Sequence, residues 1–193
     1  MAAKSFIQLQ TELAGLHLDT STTWIAWGTN NKLALNNAYE TLWDKLKNSS
    51  KVRPYISTQK ASVTITDKIG VLPVGFDTVN IVSTVPFSTD SDLNMTPSIF
   101  QEDSQYHDYE VRGIEGAKSI YIQDQFTTLY ISYVPVITAL TADADKPTLP
   151  AELHRCIAAF ALFEYYRMTR ENIEAGNALQ LANAILNEKL ASI

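Results

Sequence analysis

One cysteine, Cys156, is present among 193 residues, so no internal disulfide can form and the chain suits a reducing compartment or a redox-indifferent one. Glycine is scarce, at seven residues, and none falls in a GxGxxG, GxxxxGK[ST] or GxSxG pattern. Phosphate-cradling loops and strained nucleophile turns need such glycines, so neither is expected. Runs of Lys or Arg are absent, and the formal net charge is −6. Gripping nucleic acid through counterion release requires clustered cations, so a tight grip on DNA is not expected. No stretch approaches the about 18 apolar residues of a membrane span, and "MAAKSFIQLQ" lacks the uninterrupted apolar core of a signal peptide. The sequence reads as that of a soluble protein made in a cytoplasm, with no membrane partner.

The periodicity that is present defines the fold class. "SFIQLQTELAGLHLD" reads as a helix: Ser5 and Gln8 make a capping-box pattern, and Phe6, Leu9, Leu13 and Leu16 recur every three or four residues. Trp24 and Trp27 fall in a break, a turn or helical stub. "KLALNNAYETLWDKLKN" is a second helix with Leu35, Ala38, Tyr39, Leu42, Trp43 and Leu46 on one face and Lys45 and Lys47 in its last turn. The middle of the chain turns β-rich, with Val63 and Ile65 sharing one face of a strand, a second run from Val79 to Val85, and strands around "SIYI" and "TLYISYV" joined by "IQDQFT". Pro86 to Ser104 has no sustained period and reads as a long loop. Pro150 then opens a third helix to Thr169, and a fourth carries Ala175, Ala178, Leu179, Ala182, Ile185, Leu186 and Leu190 on one stripe. The expectation is a single α+β domain over 1–193, a helical bundle from helices at about 5–48 and 150–191 with an inserted antiparallel β-lobe at about 56–137.

Candidate chemistry is thin. His17, His107 and His154 lie far apart and belong to no metal-ligand spacing. His107 has Glu102, Asp103, Asp108 and Glu110 nearby, but on a strand His107 and Asp108 face opposite ways, so a solvated strand edge is the better reading. Asp143 and Asp145, beside Lys146, Pro147 and Pro150, read as a polar loop entering a helix rather than an acid–base couple. Cys156 within "RCIAAFALF" reads as a buried thiol acting as a small apolar group. No catalytic residue, cofactor or metal is expected, and the chain reads as a non-enzyme.

The third helix is apolar all round from Cys156 to Phe163, so it must be covered on every side. Two coverings are open: three other helices of the same chain, or a neighbouring copy. In the second case the charged end "EYYRMTRE" would lie at a rim, where Tyr165, Tyr166, Arg167 and Arg170 are residue types enriched at interfaces. Phe87, Leu93, Ile99 and Phe100 in the long loop are hard to place in solvent and join them as candidate interface residues.

Three stretches together resemble the head–tail connector (adaptor, or neck) proteins of tailed bacteriophages. "LQTELAGLHLDTSTTWIAWGTNNKLALNNAYETLWDKL" is similar to their opening helix pair, "VLPVGFDTVNIV" to the step into their β-region, and "DADKPTLPAELHRCIAAFALFEYYRMTRENIEAGNALQLANAILNEKL" to their closing helices. The stretch from Ser88 to Gly116 has no counterpart. The resemblance implies a homo-oligomeric ring, usually dodecameric, docked beneath the portal protein in the virion neck. Such a ring extends the DNA channel and offers a platform to a tail nozzle or tube protein, and DNA passes through its lumen without specific binding. A tail terminator or tube subunit is the alternative virion role, and a DNA-binding accessory protein a third reading that lacks the basic patch it needs.

Overall fold

The computed structural model describes residues 2–17, 28–47, 49, 52–56, 59–87, 96–97, 108–114 and 116–191. In chain order the elements are α1 (Phe6–His17), α2 (Thr29–Lys47), the one-turn α3 (Arg53–Ile56), β1 (Gln59–Thr66), β2 (Ile69–Val71), β3 (Phe76–Ser83), β4 (Thr96–Pro97), β5 (Asp108–Ile114), β6 (Ala117–Ile122), β7 (Thr128–Pro135), a 3-10 turn (Ala151–Leu153), α4 (His154–Thr169) and α5 (Asn172–Ala191). The fold is mixed helix and strand. Contacts group the two ends, Met1–Ile56 and Ile137–Ile193, into one compact unit and Ser57–Val136 into another.

In the helical unit, α4 packs against α1, α2 and α5. Leu153 and every residue from Cys156 to Leu162 are buried. The three helices of the same chain therefore cover α4, which resolves the two coverings left open by the sequence. The surplus apolar surface that pointed to a neighbouring copy is consumed inside the unit. Leu35, Leu42, Leu46, Leu153, Ile157 and Phe160 are all buried, on helices α2 and α4 that pack together and in the 3-10 turn before α4. The α1 stripe is broader than the leucines alone indicate: Phe6, Leu9, Gln10, Leu13 and Ala14 are buried, while Leu16 is half-buried. Those five positions follow the i, i+3, i+4, i+7, i+8 rule, so geometry carries the polar Gln10 inward.

The segment before the 3-10 turn is a strap tied at four places. Asn36 on α2 pairs with Leu140 as a strand would, its Nδ2 donating to the carbonyl at 3.0 Å and its Oδ1 accepting from the N–H at 2.8 Å. Tyr39 Oη accepts from the Thr148 N–H at 2.8 Å and lies 2.8 Å from Thr148 Oγ1. Asp145 Oδ2 accepts from the backbone N–H groups of Thr141 and Ala142, and those bonds hold its carboxyl below the usual range. The carbonyls of Asp145 and Asp143 accept from Phe6 N and Ile7 N at 2.7 and 3.2 Å. These are first-turn donors of α1 that have no partner within the helix. Ser5 N–H goes to Gln8 Oε1 at 2.8 Å, the reciprocal half of the capping box.

Helix α4 ends in a left-handed residue. Arg170 has φ 65° and ψ 27°; its N–H bonds to the Arg167 carbonyl, and Glu171 N–H reaches back to the Tyr166 carbonyl at 2.9 Å. This is the Schellman pattern with arginine where glycine is usual. Arg170→Gly is expected to raise stability by about 0.5–1 kcal/mol, read as a higher urea midpoint. A lowered midpoint would show that the arginine side chain contributes more than its backbone strain costs.

The β unit is a curled seven-stranded sheet of order β3-β7-β1-β2-β6-β5-β4, antiparallel except where β4 runs parallel to β5. β4 falls inside the stretch read as loop. β1 and β2 are joined by a two-residue turn at Asp67 and Lys68, both at positive φ, as hairpin turns require. The inner face holds Val63, Ile65, Leu72, Phe76, Val82, Tyr109, Ile120, Ile122, Leu129, Ile131 and Tyr133. Curling brings β6 toward the start of β3: Lys118 Nζ donates to the Asp77 carbonyl at 2.5 Å and stands 5.5 Å from the Phe76 ring centre.

Candidate interaction surfaces

Of the candidate chemical residues, His107, Glu102 and Asp103 lie outside the described residues. Cys156 is buried, and that burial pushes its thiol up to about 11, so it stays protonated and unreactive. His154 is buried between two backbone groups, the Lys4 N–H and the Leu149 carbonyl. Asp143 and Asp145 serve the strap. Among the described residues no three metal-ligating side chains gather, and no helix is long and apolar enough to cross a membrane. One open pocket of about 380 Å³ is lined by Ile65, Asp67, Lys68, Asp124, Gln125, Phe126 and Thr127.

The predicted interface residues fall into three groups. Leu93, Ile99 and Phe100 lie outside the described residues. Phe87 is half-buried, edge-on to Tyr130 at 6.3 Å with Lys60 Nζ 5.0 Å above its ring, so the sheet already covers much of it. At the end of α4, Tyr165 and Tyr166 pack around His17 of α1, with ring centres 5.0 and 5.5 Å away. Arg167 extends outward, its Nη2 2.7 Å from the buried Glu164 carboxylate one turn back. Tyr165, Tyr166, Arg167 and Arg170 thus share one helix end. Phe87 belongs to the other unit.

Several exposed aliphatic residues of the β unit gather on one outer sheet face. Strand register puts Ile69, Tyr121 and Glu110 in one row across β2, β6 and β5, and Val71, Ser119 and Arg112 in the next, with Ile114 opposite Ala117. Alternation along each strand turns all of these away from the core face that holds Gly70, Ile120 and Val111. Val71 and Ile114 are each 77% exposed and Ile69 is 40% exposed. In their midst Arg112 stacks on Tyr121 at 5.0 Å and pairs with Glu110 at 2.6 Å. The hydrogen bond from Arg112 to Glu110 holds its guanidinium above the ordinary range. An aliphatic rim around an ordered Tyr–Arg pair has the composition of a protein-contact surface rather than a solvated sheet face. In the helical unit Ile173, at 76%, and Leu181, at 43%, are exposed on α5. Sequence reasoning missed this face. Its signal was "KIGVL", apolar at successive positions and therefore on both faces of one strand.

No protein-family model matches the chain, and no curated protein matches it.

Proposed function

We propose that this chain is a structural subunit of the head-to-tail connector of a tailed bacteriophage, a helical bundle with an inserted β-lobe. Copies associate head-to-tail into a ring, dodecameric in the family it resembles, that docks beneath the portal, extends the DNA channel and receives a tail nozzle or tube protein. It is not an enzyme, and it acts in the neck of the virion. The observation that carries the reading is the exposed face Ile69–Val71–Ile114 around Tyr121 and Arg112, a surface that a partner protein would cover. The element order supports it, since a helix pair, a β-region and a second helix pair follow one another as in the sequences it resembles. A helical share of 47% speaks against a tail-tube or terminator subunit, which is built mostly of β-sheet. Association would use this face, the exposed residues of α5 and the outward end of α4, because the apolar run of α4 from Cys156 to Leu162 is already covered.

Native mass spectrometry of the purified protein, alone and mixed with portal, tests the reading. A closed, heterologous interface yields one discrete multiple of the 21.5 kDa chain. Val71→Asp with Ile114→Asp is expected to abolish that species while leaving the circular-dichroism spectrum unchanged. A protein that remains at one chain mass even with portal present would refute the connector.

A further inference from the structure

We propose that residues 2–5 form an arm latched to the start of α4 by His154 at neutral pH, and that protonation of this ring releases the arm. The imidazole is fully buried, and both of its nitrogens are engaged by backbone. Nδ1 lies 2.9 Å from the Lys4 nitrogen. A backbone N–H can only donate, so Nδ1 is the acceptor and carries no proton. Nε2 lies 2.7 Å from the Leu149 carbonyl oxygen, which can only accept, so Nε2 carries the proton. One neutral tautomer alone satisfies both contacts. A second proton, on Nδ1, would face the Lys4 N–H donor to donor, and the contact must open.

The arm is the side that can yield. Residues 2–5 belong to no helix or strand, whereas His154 is held in α4 and Leu149 in the strap beside the Tyr39–Thr148 bonds. Phe6 and Ile7 follow at once and bond to the carbonyls of Asp145 and Asp143, so release of the arm also loosens the first turn of α1. The charged groups facing the ring are Lys4 on the arm, Glu12 on α1 and Glu152 in the 3-10 turn. Glu12 is itself paired with Lys4 Nζ and lies 4.0 Å from Arg155. Burial is the main cause that holds the ring below the ordinary imidazole value, and Lys4 acts in the same direction, against the Leu149 hydrogen bond and the two carboxylates. The latched state therefore binds the proton less well than the released state. Latching is complete above the ordinary imidazole pKa of about 6.5 and weakens as pH falls below it, until the latched ring itself titrates.

Hydrogen exchange of the full chain, corrected for the intrinsic pH dependence of amide exchange, reads the latch directly. Protection of the Lys4–Ile7 amides is expected to fall about tenfold between pH 7 and pH 5.5, with protection along α5 unchanged. His154→Asn keeps an acceptor at the Nδ1 position without a titratable ring, and its arm protection is expected to be flat over that range. Unchanged protection in the natural protein, an equal fall in the asparagine variant, or a fall shared by α5 would each overturn the latch. Should the variant fail to fold, ¹⁵N spectra of the natural His154 ring decide. A proton on Nε2 alone at pH 7.5, with Lys4 shifts tracking the ring's titration, supports the latch; a proton on Nδ1 at that pH overturns it.

Discussion

Phe160→Ala is expected to destabilise the protein by about 3–5 kcal/mol, the range for aromatic truncation in a packed core. The ring is 2% exposed on α4, the helix that α1, α2 and α5 enclose. Its neighbours one turn away include Cys156, Ile157 and Glu164, themselves buried in a packed unit and with little freedom to move into the space left behind. The cavity would therefore stay open, and cavity volume adds to the lost transfer free energy. Lys45 Nζ, 4.8 Å from the ring centre, loses a cation–π contact as well. For a chain of this length the loss corresponds to a fall of about 6–20 °C in Tm, measured by circular dichroism at the helical band. An unchanged Tm would mean that α4 is not the centre of the helical unit.

What the sequence made legible was whatever depends on neighbours one turn away. All six residues assigned to the inner face of α2 are buried, because a stripe at three- and four-residue spacing needs only helical geometry to align it. The reach of Asn36 to Leu140 and of Tyr39 to Thr148 spans more than a hundred residues, so the strap looked like an untied connector. The two coverings of α4 were indistinguishable for a related reason: periodicity states that a helix is buried, not whose side chains bury it. Short strands were hidden differently. "IGV" offers no alternation, and β2 exists because its central glycine lets β1 and β6 close over it. A Cβ at Gly70 would stand 2.6 Å from Ile65 Cδ1 and 3.1 Å from Ile120 Cγ2. The tyrosines and arginines at the end of α4 were visible as residue types. The exposed face of β2, β6 and β5 was not, since exposure is decided by what the other side of a sheet packs against.

The β5–β6 hairpin gives the second large effect. Gly113→Ala is expected to cost about 2–5 kcal/mol, because two penalties fall on one position. Its φ of 120° lies where L side chains rarely go. An added Cβ would also run into the Ala117 carbonyl oxygen and stand 3.0 Å from Lys118 Cα, backbone atoms of the paired strand that cannot turn aside. Relief requires breaking the Gly113–Lys118 pairing, and with it the rows that place Ile114 and Arg112 on the outer face. Gly116, three residues on, separates the two penalties: its φ is 81°, but a Cβ there meets open space. Asparagine tolerates that region, so Gly116→Asn is expected to stay within about 0.5–1 kcal/mol of the natural protein. Urea midpoints of the two variants make the comparison. Equal losses would show that backbone conformation alone, and not the Ala117 carbonyl, demands glycine at position 113. A large loss confined to Gly113→Ala, together with failure to form the discrete oligomer, would tie the hairpin's pairing to the surface proposed for assembly.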